Sequence, residues 1–442
     1  MNLRVSVVGT GYLGATHAAC MAELGHEVLG VDVKPARVEA LAAGRLPFFE
    51  PGVPELLRRH TGTGRLRFTT SPAEAADFAD VHFICVGTPQ RRDSMAADTG
   101  HVTAAVEGLV PHLTRSATLV GKSTVPVGTG AELAERIAAV AAPGVDVELA
   151  WNPEFLREGH AVDDTLRPDR LVFGVPTAES EKVLRQVYQP LLDDGVPLVV
   201  TDVVTAELVK VSANAFLATK ISFINAIAEL CEVAGADVVT LAEAIGHDPR
   251  IGHRALGAGL GFGGGCLPKD IRAFMARAGE LGVDQALTFL REVDAINMRR
   301  RSRMVQLAEA ECSGSVLGKR IAVLGAAFKP MTDDVRDSPA LNVAAQLQLR
   351  GAQVCVYDPQ AVTTARAVFP TLSYAESAAG AAAGAHLVLH LTEWAEFAAI
   401  DPGELAAYVA ERRILDGRNT LDPERWRAAG WSYRALGRPR LS

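Results

Sequence analysis

The stretch LRVSVVGTGYLG, residues 3–14, contains the pattern that decides the fold. Its apolar run predicts a β-strand, and the G-x-G-x-x-G pattern of Gly9, Gly11 and Gly14 predicts a tight turn that opens a helix. The glycines serve the turn, the close approach of a pyrophosphate to the backbone and the packing of helix on strand. A glycine turn that binds nothing is the alternative, because the pattern alone is weakly specific.

The next predicted strand, HEVLGVDV, ends at Asp32. A carboxylate at this place accepts hydrogen bonds from the ribose hydroxyls of a dinucleotide and repels a 2′-phosphate. The sequence therefore predicts NAD, rather than NADP, as the cofactor. Lys34 and Arg37 lie close behind Asp32 and weaken that preference, since a nearby cation can accommodate a 2′-phosphate.

Further apolar runs alternate with helical stretches, in VHFICVGTP, ATLVGKSTVPVGT, DVELAWNPEF and RLVFGV. This alternation predicts a parallel sheet with helices on both faces. Thr88 and Thr124 follow two of these strands, so we expect them to face the cofactor at the carboxyl edge of the sheet. An ordinary turn hydroxyl is the alternative for each.

The pattern changes from Thr205 to about Glu232, where helical periodicity without Gly or Pro predicts one long helix. Residues 318–330, GKRIAVLGAAFKP, then repeat the strand and glycine opening, and AQVCVYDP places Asp358 where HEVLGVDV places Asp32. We therefore predict an α/β protein with two Rossmann-like doubly wound domains joined by a central all-α domain with a long helix. The expected domain boundaries are 1–200, 201–300 and 301–442.

The composition is that of an ordinary globular protein: 442 residues, 48% of them hydrophobic, with a net charge of −8. A mildly acidic chain argues against nucleic acid and anionic membrane as partners. The start shows no signal-type stretch, and residues 378–391 are too short and too polar to span a bilayer. Six scattered cysteines without a CxxC pair indicate reduced thiols, a cytoplasmic location and no metal site.

Cys266 differs from cysteines such as Cys20, Cys85, Cys231 and Cys355, whose apolar contexts suit a small buried hydrophobe. It follows five glycines in GLGFGGGCLPKD and precedes a predicted helix. Helix N-termini lower the pKa of a thiol and offer N–H donors. A thiolate beside NAD suits aldehyde oxidation: it adds to the carbonyl, hydride leaves to NAD, and water hydrolyses the thioester.

That chemistry needs an oxyanion stabiliser and a base. Lys210 and Asn214 are spaced i, i+4 in the predicted long helix, and could hold an oxyanion together. Glu154 and Glu158 have the same spacing at a predicted helix start, which Asn152 is suited to cap, and could move protons. Asp270 lies one turn beyond Cys266. The ordinary alternatives are a solvated lysine, a charged helix start and a favourable N-terminal acid.

Taken together, the motifs resemble the UDP-glucose/GDP-mannose dehydrogenase family over nearly the whole chain. They are GTGYLG, LPFFEPGVPEL, VGTP, STVPVGT, NPEFLREGHAVDD, NAFLATKISFIN, GFGGGCLPKD, LGAAFKPMTDDVRDSPAL, YDP, LTEW and LDGRN. NAFLATKISFIN and GFGGGCLPKD are most like the UDP-glucose branch. The resemblance implies that the primary alcohol of a nucleotide sugar becomes a carboxylate in two NAD-dependent steps, without release of the aldehyde.

The resemblance also implies roles for single residues. The catalytic residues would be Cys266, Lys210, Asn214, Asp270, Glu154 and Thr124. Cys266 would form a thiohemiacetal and a thioester. Lys210 and Asn214 would stabilise oxyanions, and Lys210 with Asp270 would hold a water.

Glu154 and Thr124 would assist proton transfer and thioester hydrolysis. Arg250 would reach the substrate of a neighbouring subunit, which implies a homodimer built on the long helix. The implied cofactor contacts are Gly9, Gly11, Tyr12, Leu13, Gly14, Asp32, Arg37, Thr88, Thr124, Glu158 and Arg336. The implied substrate contacts are Glu154, Phe155, Leu156, Glu158, Lys210, Asn214, Arg250, Gly257, Phe262, Gly263, Lys329 and Arg418. The three domains would bind NAD, dimerise and bind the nucleotide sugar, in that order.

The chain departs from the family pattern at Gly265, where serine is usual, and at Ala255, where a bulky aromatic is common.

Three other functions are alternatives to the oxidation of UDP-glucose. The first is the same chemistry on GDP-mannose, UDP-N-acetylmannosamine or UDP-N-acetylglucosamine. A two-electron hydroxyacid dehydrogenase is the second, but it leaves Cys266 and the third domain unexplained. An inactive nucleotide-sugar sensor is the third, against which Cys266, Lys210 and Asp270 argue.

Overall fold

The computed structural model describes residues 2–439. These residues form two compact units: 2–213 with 272–282, and 214–271 with 283–439. Each unit is built on its own β-sheet, and the two sheets have the same strand order at their centres.

Eight strands form the sheet of the first unit: β1 (Arg4–Val8), β2 (Glu27–Val31), β3 (Leu66–Thr69), β4 (Val81–Ile84), β5 (Ala117–Gly121), β6 (Val147–Trp151), β7 (Leu171–Gly174) and β8 (Leu198–Thr201). Their order is β3-β2-β1-β4-β5-β6-β7-β8, and the first six follow the Rossmann order. All neighbours are parallel except β6 and β7. The prediction of a parallel sheet is therefore wrong at RLVFGV, residues 170–175. Residues 152–170 connect β6 to β7 at one end of the sheet without a crossover, so β7 runs antiparallel to β6.

Helices cover both faces of this sheet. They are α1 (Tyr12–Glu23), α2 (Pro35–Ala42), α3 (Val53–Gly62), α4 (Pro72–Phe78), α5 (Gly100–Leu109), a 3₁₀ turn (Val110–His112), α6 (Thr129–Val140), α7 (Ala161–Leu166), α8 (Ala178–Val187) and α9 (Gln189–Asp193). Val5 of β1 shares one apolar cluster with Ala15 and Ala18 of α1. Leu119 of β5 shares a second with Leu133 of α6. Two apolar layers therefore sandwich the strands, as expected for buried parallel strands.

Four further helices follow: α10 (Val203–Ala234), α11 (Val238–Gly246), α12 (Leu267–Glu280) and α13 (Phe289–Glu311), with a 3₁₀ turn at Asp284–Leu287. They form the helical middle region that the sequence predicts, and α10 runs for 32 residues. By length and composition α10 is the one helix of the described chain that could cross a bilayer, with 44% of its most apolar window buried. Core helices pass the same test, so this finding assigns no membrane.

Six parallel strands form the sheet of the second unit: β9 (Arg320–Leu324), β10 (Gln353–Tyr357), β11 (Ser373–Tyr374), β12 (Leu387–His390), β13 (Arg413–Asp416) and β14 (Ser432–Ala435). Their order, β11-β10-β9-β12-β13-β14, repeats the Rossmann order. The surrounding helices are α14 (Pro339–Leu349), α15 (Val362–Val368), α16 (Ala378–Ala382), α17 (Ala395–Ala399), α18 (Pro402–Leu405) and α19 (Pro423–Ala428). The prediction of two Rossmann-like domains and a helical middle region is confirmed.

Asp358, at the end of β10, occupies the position in the second sheet that Asp32 has in the first. It is 2% exposed. Its Oδ2 accepts hydrogen bonds from the backbone of Ala326 and Ala327 and from Trp394 Nε1, at 2.8–3.1 Å. Its Oδ1 accepts two more backbone N–H groups, from residues 360 and 361. Five donors occupy the roughly four lone-pair sites of this carboxylate.

Candidate active site

The turn between β1 and α1 admits only glycine at two positions. Gly9 has a φ of +89°, which side chains rarely adopt. A Cβ at Gly14 would lie 1.8 Å from the carbonyl oxygen of Gly9. Gly11 faces open space and precedes α1, which begins with Tyr12 and Leu13 and has no side-chain cap. A helix start of this kind suits the pyrophosphate of a dinucleotide.

Asp32 is held in place by several donors at the end of β2. Its Oδ2 accepts the backbone N–H of Thr10 at 3.0 Å and the hydroxyl of Thr10 at 3.1 Å, while Arg37 lies at 2.9 Å. Burial alone would raise the pKa of this carboxyl, but the bonds from Arg37, Lys34 and Thr10 lower it below its ordinary value. The carboxylate is therefore ionised at neutral pH, as acceptance of ribose hydroxyls requires.

Thr88 and Thr124 are joined directly. The hydroxyl of Thr88, which is buried, donates to the carbonyl oxygen of Thr124 at 2.7 Å. Ser123 adds a bond to the carbonyl of Val86 at 2.7 Å. The loops after β4 and β5 therefore form one connected wall at the carboxyl edge of the first sheet, where ligands of such sheets bind.

A buried ion pair joins Glu154 to Lys210. The Nζ of Lys210 lies 2.9 Å from Oε1 of Glu154, and the two side chains are 7% and 11% exposed. The second oxygen, Oε2, accepts the backbone N–H of Leu156 at 2.7 Å. Phe155 packs beside the pair, with its ring centroid 5.6 Å from the lysine nitrogen. Both charges are satisfied, so the pair can persist in a largely dry setting.

The predicted helix at WNPEFLREG is wrong, because residues 152–157 form no regular element and α7 begins only at Ala161. Asn152 does not cap a helix: its side chain donates to the carbonyl of Val172 and accepts from Tyr188 and Lys122. Glu154 and Glu158 therefore do not share a helical face. Glu158 is half-buried in the turn that follows.

Lys122 is a buried cation that the sequence analysis did not single out. Its Nζ donates to Asn152 Oδ1 at 2.9 Å and to the Tyr188 hydroxyl at 3.4 Å. Burial lowers its pKa to about 8. The lysine therefore connects the strand that leads to Thr124 with the strand that leads to Glu154.

Glu207 is a second residue that the sequence analysis missed, since a lone glutamate near a helix start carries no distinctive signal. It is 2% exposed. Its Oε2 accepts the N–H of Gly128 at 2.7 Å, and its Oε1 accepts that of Gly130 at 2.6 Å. Because Glu207 lies one turn before Lys210 in α10, it links this helix to the loop that follows Thr124.

We expect Glu207→Gln to lower kcat by roughly 10- to 100-fold, since misplacement by about 1 Å in an active site can cost on the order of 10²-fold. The amide keeps one acceptor and turns an NH₂ group toward the second backbone N–H. Steady-state kinetics would measure the loss, with Glu179→Gln on the exposed face of α8 as control. An unchanged kcat would show that the link does not position Thr124 or Lys210.

Stability gives an independent test of the same residue. Burial raises the pKa of the Glu207 carboxyl to about 7 from its ordinary 4.5. The folded state then binds more protons than the unfolded state, so this group's contribution to stability falls as pH rises from about 4.5 to 7. As pH rises from about 4.5 to 7, the melting temperature of the Glu207→Gln variant should therefore increase relative to that of the wild type. A constant difference would contradict this titration.

Cys266 lies directly before α12 and is the exposed one of the six cysteines. Its carbonyl oxygen accepts the backbone N–H of Asp270 at 2.9 Å, which begins the helix. The Asp270 carboxylate is buried and accepts a hydrogen bond from Asn214 Nδ2 at 2.7 Å. Lys269 pairs with the other oxygen of Asp270. In the second unit, therefore, one hydrogen bond connects Asn214 to the helix that begins after the thiol.

The loop before Cys266 is held by polar side chains of α10 and α13. The side-chain oxygen of Asn225 accepts a hydrogen bond from the N–H of Gly259, and Arg300 donates one to the carbonyl oxygen of Gly259. Asn297 both accepts from and donates to the backbone of Phe262, at 2.8 and 3.0 Å. Arg300 is fully buried. Asn297 and Arg300, both in the basic run NMRRRSRM at residues 297–304, therefore position the loop. The charge of the run does not predict this role.

The glycines of this loop are required by neighbouring protein atoms. A Cβ at Gly261 would lie 2.2 Å from Asn297 Oδ1, and one at Gly263 would lie 2.4 Å from the Asp337 carbonyl. A Cβ at Gly265 would lie 2.3 Å from Arg336 Cζ. Of the two loop glycines predicted to contact the substrate, Gly257 has open space where a Cβ would be, whereas Gly263 does not.

The remaining predicted binding residues differ in how they are engaged. Arg418 donates to the carbonyls of Leu391, Gly261 and Phe328 at 2.8–3.2 Å. Arg336 pairs with Asp334 at 2.7 Å, and Arg250 pairs with Asp248 at 2.6 Å. The Nζ of Lys329 lies 5.8 Å from the ring centroid of Phe328. Arg336 and Arg250 keep 54% and 87% of their side chains exposed, whereas Arg418 is 11% exposed.

The chain matches known proteins over its whole length. Three models of the UDP-glucose/GDP-mannose dehydrogenase family match: the NAD binding domain at residues 3–192, the central domain at 204–299 and the UDP binding domain at 322–423. The UDP-glucose 6-dehydrogenase of Rhizobium meliloti (strain 1021) is 42% identical over 99% of this chain and 100% of its own length.

Solved structures give the same result. A UDP-glucose dehydrogenase from the hyperthermophilic archaeon Pyrobaculum islandicum has a TM-score of 0.91 at 40% identity, covering 99% of this chain and 98% of that chain. A UDP-D-ManNAc dehydrogenase from Pyrococcus horikoshii has a TM-score of 0.85 at 25% identity, covering 99% and 100%. With its glycine turn, Asp32 and two Rossmann-like sheets, the chain belongs to the UDP-glucose/GDP-mannose dehydrogenase family and is a NAD-dependent dehydrogenase.

Proposed function

We propose that the chain oxidises UDP-glucose to UDP-glucuronate, with four electrons passing to NAD through a thiohemiacetal and a thioester on Cys266. The observation that carries the proposal is the exposed Cys266 thiol at the start of α12, in a chain that aligns throughout with enzymes named UDP-glucose 6-dehydrogenase. An exposed thiol at a helix start is activated by the helix dipole and by N–H donors.

The first step converts the primary alcohol of the sugar to an aldehyde. Bound NAD supplies the hydride acceptor in this step and in the second one. The alcohol proton passes to water held by Lys210 and Asp270. Lys210 and Asn214, one turn apart in α10, stabilise the negative charge that grows on the oxygen.

The second step captures the aldehyde. The Cys266 thiolate forms a C–S bond to the aldehyde carbon, and the resulting oxyanion again faces Lys210 and Asn214. Loss of hydride from this carbon leaves a thioester. Glu154, with Thr124, activates a water that attacks the thioester, and the C–S bond breaks to give the carboxylate and the free thiol.

The proposal divides the work among three domains. Residues 1–200 bind NAD through the glycine turn and Asp32, residues 201–300 dimerise, and residues 301–442 bind the nucleotide sugar. Lys329 and Arg418 bind the nucleotide sugar, and Arg336 binds the cofactor. We propose a cytoplasmic location, because a reducing compartment keeps thiols free, as they are at Cys20, Cys85, Cys231, Cys312 and Cys355.

The same chemistry on another nucleotide sugar is the second candidate. The likeness to the UDP-D-ManNAc dehydrogenase of Pyrococcus horikoshii at TM-score 0.85 favours it. A panel of UDP-glucose, GDP-mannose, UDP-N-acetylmannosamine and UDP-N-acetylglucosamine would decide between the two. We expect the highest kcat/KM with UDP-glucose and two NADH for each sugar consumed. One NADH per sugar would exclude both candidates, and a preference for another sugar would overturn the first.

We also propose a homodimer that buries one face of α10. Phe216, Phe223 and Leu230 are spaced seven residues apart and therefore lie along one stripe of the helix. They are 68%, 52% and 63% exposed. An apolar stripe of this size on a helix favours burial against a partner, and a second copy of the chain offers the same stripe.

Phe223→Glu is expected to weaken this dimer by at least roughly tenfold, because it buries two uncompensated carboxylates in a symmetric interface. Light scattering at micromolar concentration would report the fall in mass. Phe289→Glu, an exposed phenylalanine at the start of α13, is the control and should remain dimeric. An unchanged mass for Phe223→Glu would remove α10 from the interface.

A further inference from the structure

Three side chains at the end of α11 converge on one point of the surface of the second unit. Glu243 Oε1 lies 3.3 Å from His247 Nε2, and Glu243 Oε2 lies 3.5 Å from His253 Nδ1. The two imidazole rings meet edge to face with centroids 4.9 Å apart. All three donor atoms lie within 4.8 Å of one another. We refer to Glu243, His247 and His253 as the surface triad.

The spacing of the surface triad fits a metal ion. Around a tetrahedral Zn²⁺ with bonds of about 2.0–2.1 Å, neighbouring donors lie about 3.3 Å apart. Each imidazole nitrogen lies within a few tenths of an ångström of this distance from one carboxylate oxygen of Glu243, His247 from Oε1 and His253 from Oε2. Two imidazoles and one carboxylate suit zinc, nickel, cobalt or copper, whereas Mg²⁺ and Ca²⁺ prefer oxygen donors alone.

The backbone around the triad is fixed by other residues. A Cβ at Gly246 would lie 2.3 Å from His253 Nδ1, so the glycine leaves room for this ring beside the end of α11. Lys220, on α10, donates to the carbonyls of Ile251, Gly252 and Arg254, which flank His253. Both sides of the triad are therefore anchored, which reduces the entropy that ligands lose when they bind an ion.

Nearby charges do not oppose a cation at this place. The guanidinium of Arg250 is paired with Asp248 through three hydrogen bonds, at 2.6–3.1 Å. The ammonium of Lys220 is engaged with backbone carbonyls. The carboxylate of Glu243 is the formal charge within the triad itself, so binding of a divalent ion is attractive there.

We propose that Glu243, His247 and His253 form a binding site for one divalent transition-metal ion of the zinc and nickel class, with water completing the coordination. An ion bound there ties the end of α11 to residues 248–254, the segment that carries Arg250. The ion takes no part in the oxidation, and its effect is on the conformation of residues 248–254.

The test is a calorimetric titration of the full-length, tag-free and metal-free protein with Zn²⁺, combined with Co²⁺ absorption spectroscopy. We expect one Zn²⁺ per chain at the triad, and a visible Co²⁺ band that reports imidazole and carboxylate ligands. His247→Ala and His253→Ala should each weaken binding by at least about tenfold, since even groups that only support a metal ligand change affinity by roughly 10- to 100-fold.

Two controls separate the triad from other ligands. His112→Ala, at an exposed histidine of the first unit, should leave Zn²⁺ affinity unchanged. Cys266→Ala should also leave Zn²⁺ affinity at the triad unchanged, because this exposed thiol is a strong zinc ligand that lies outside the triad. No Zn²⁺ binding by the wild type, or an affinity equal to that of the wild type in both histidine variants, would overturn the proposal. Because both histidines are exposed, the two variants should fold normally, and thermal melting of each variant without metal would verify this.

Discussion

Cys266→Ala is expected to stop release of the acid and to lower kcat by at least about 10⁴-fold, since loss of a covalent nucleophile can cost on the order of 10⁶-fold. Without the thiol no thiohemiacetal forms, so the aldehyde carbon has no adduct from which a second hydride can leave. Other thiols cannot substitute, because Cys20, Cys85, Cys231 and Cys312 are buried and Cys355 is half-buried.

The measurement is the number of NADH produced per sugar, with mass spectrometry of the protein to detect a sugar adduct. The wild type should show the adduct under single turnover and the variant should not. Cys355→Ala is the matched control: burial raises the pKa of its thiol, and we expect full activity. Normal acid production by Cys266→Ala would refute the covalent route, although family membership would stand.

Lys210→Ala is expected to lower kcat by roughly 10²- to 10³-fold, the range found when one oxyanion donor is removed. The ammonium of Lys210 is buried, so in the proposed mechanism it acts on the substrate oxygen with little screening by water. Its removal also leaves the carboxylate of Glu154 buried without its partner, which reduces stability.

Kinetics and thermal melting together separate these two effects. Lys210→Arg keeps the cation and should recover stability, but a planar guanidinium places its donors differently, so only part of the rate should return. Lys182→Ala, at an exposed lysine of α8, is the control and should change neither quantity. A Lys210→Ala variant with lower stability and normal kcat would limit Lys210 to a structural role.

Local patterns were sufficient to predict most of the architecture. The glycine turn with Asp32 predicted the first Rossmann-like half, and its echo at residues 318–330 predicted the second. The long helix expected from Thr205 to Glu232 extends only two residues further at each end. These elements are predictable because their apolar periodicity and turn glycines act over short stretches of chain.

Long-range contacts account for what the sequence did not reveal. Asn152 looked like a helix cap, yet Lys122 and Tyr188, which are distant in sequence, engage its side chain instead. Glu207 and Arg300 support loops from other elements, and only the fold brings them there. The charge and spacing of such residues match those of ordinary surface groups, so no local signal distinguishes them.

The saturated carboxylate of Asp358 has a consequence for turnover. All five donors to Asp358 are backbone or indole N–H groups, whereas one donor to Asp32 is the part-exposed side chain of Arg37, which a ribose can displace. Asp358 is therefore structural, and the proposed function places one NAD per chain, on the first sheet. In the proposed function two hydrides leave one sugar in succession, so the first NADH has to be replaced by NAD before the second transfer. The proposed C–S bond to Cys266 would keep the half-oxidised sugar on the protein during that exchange.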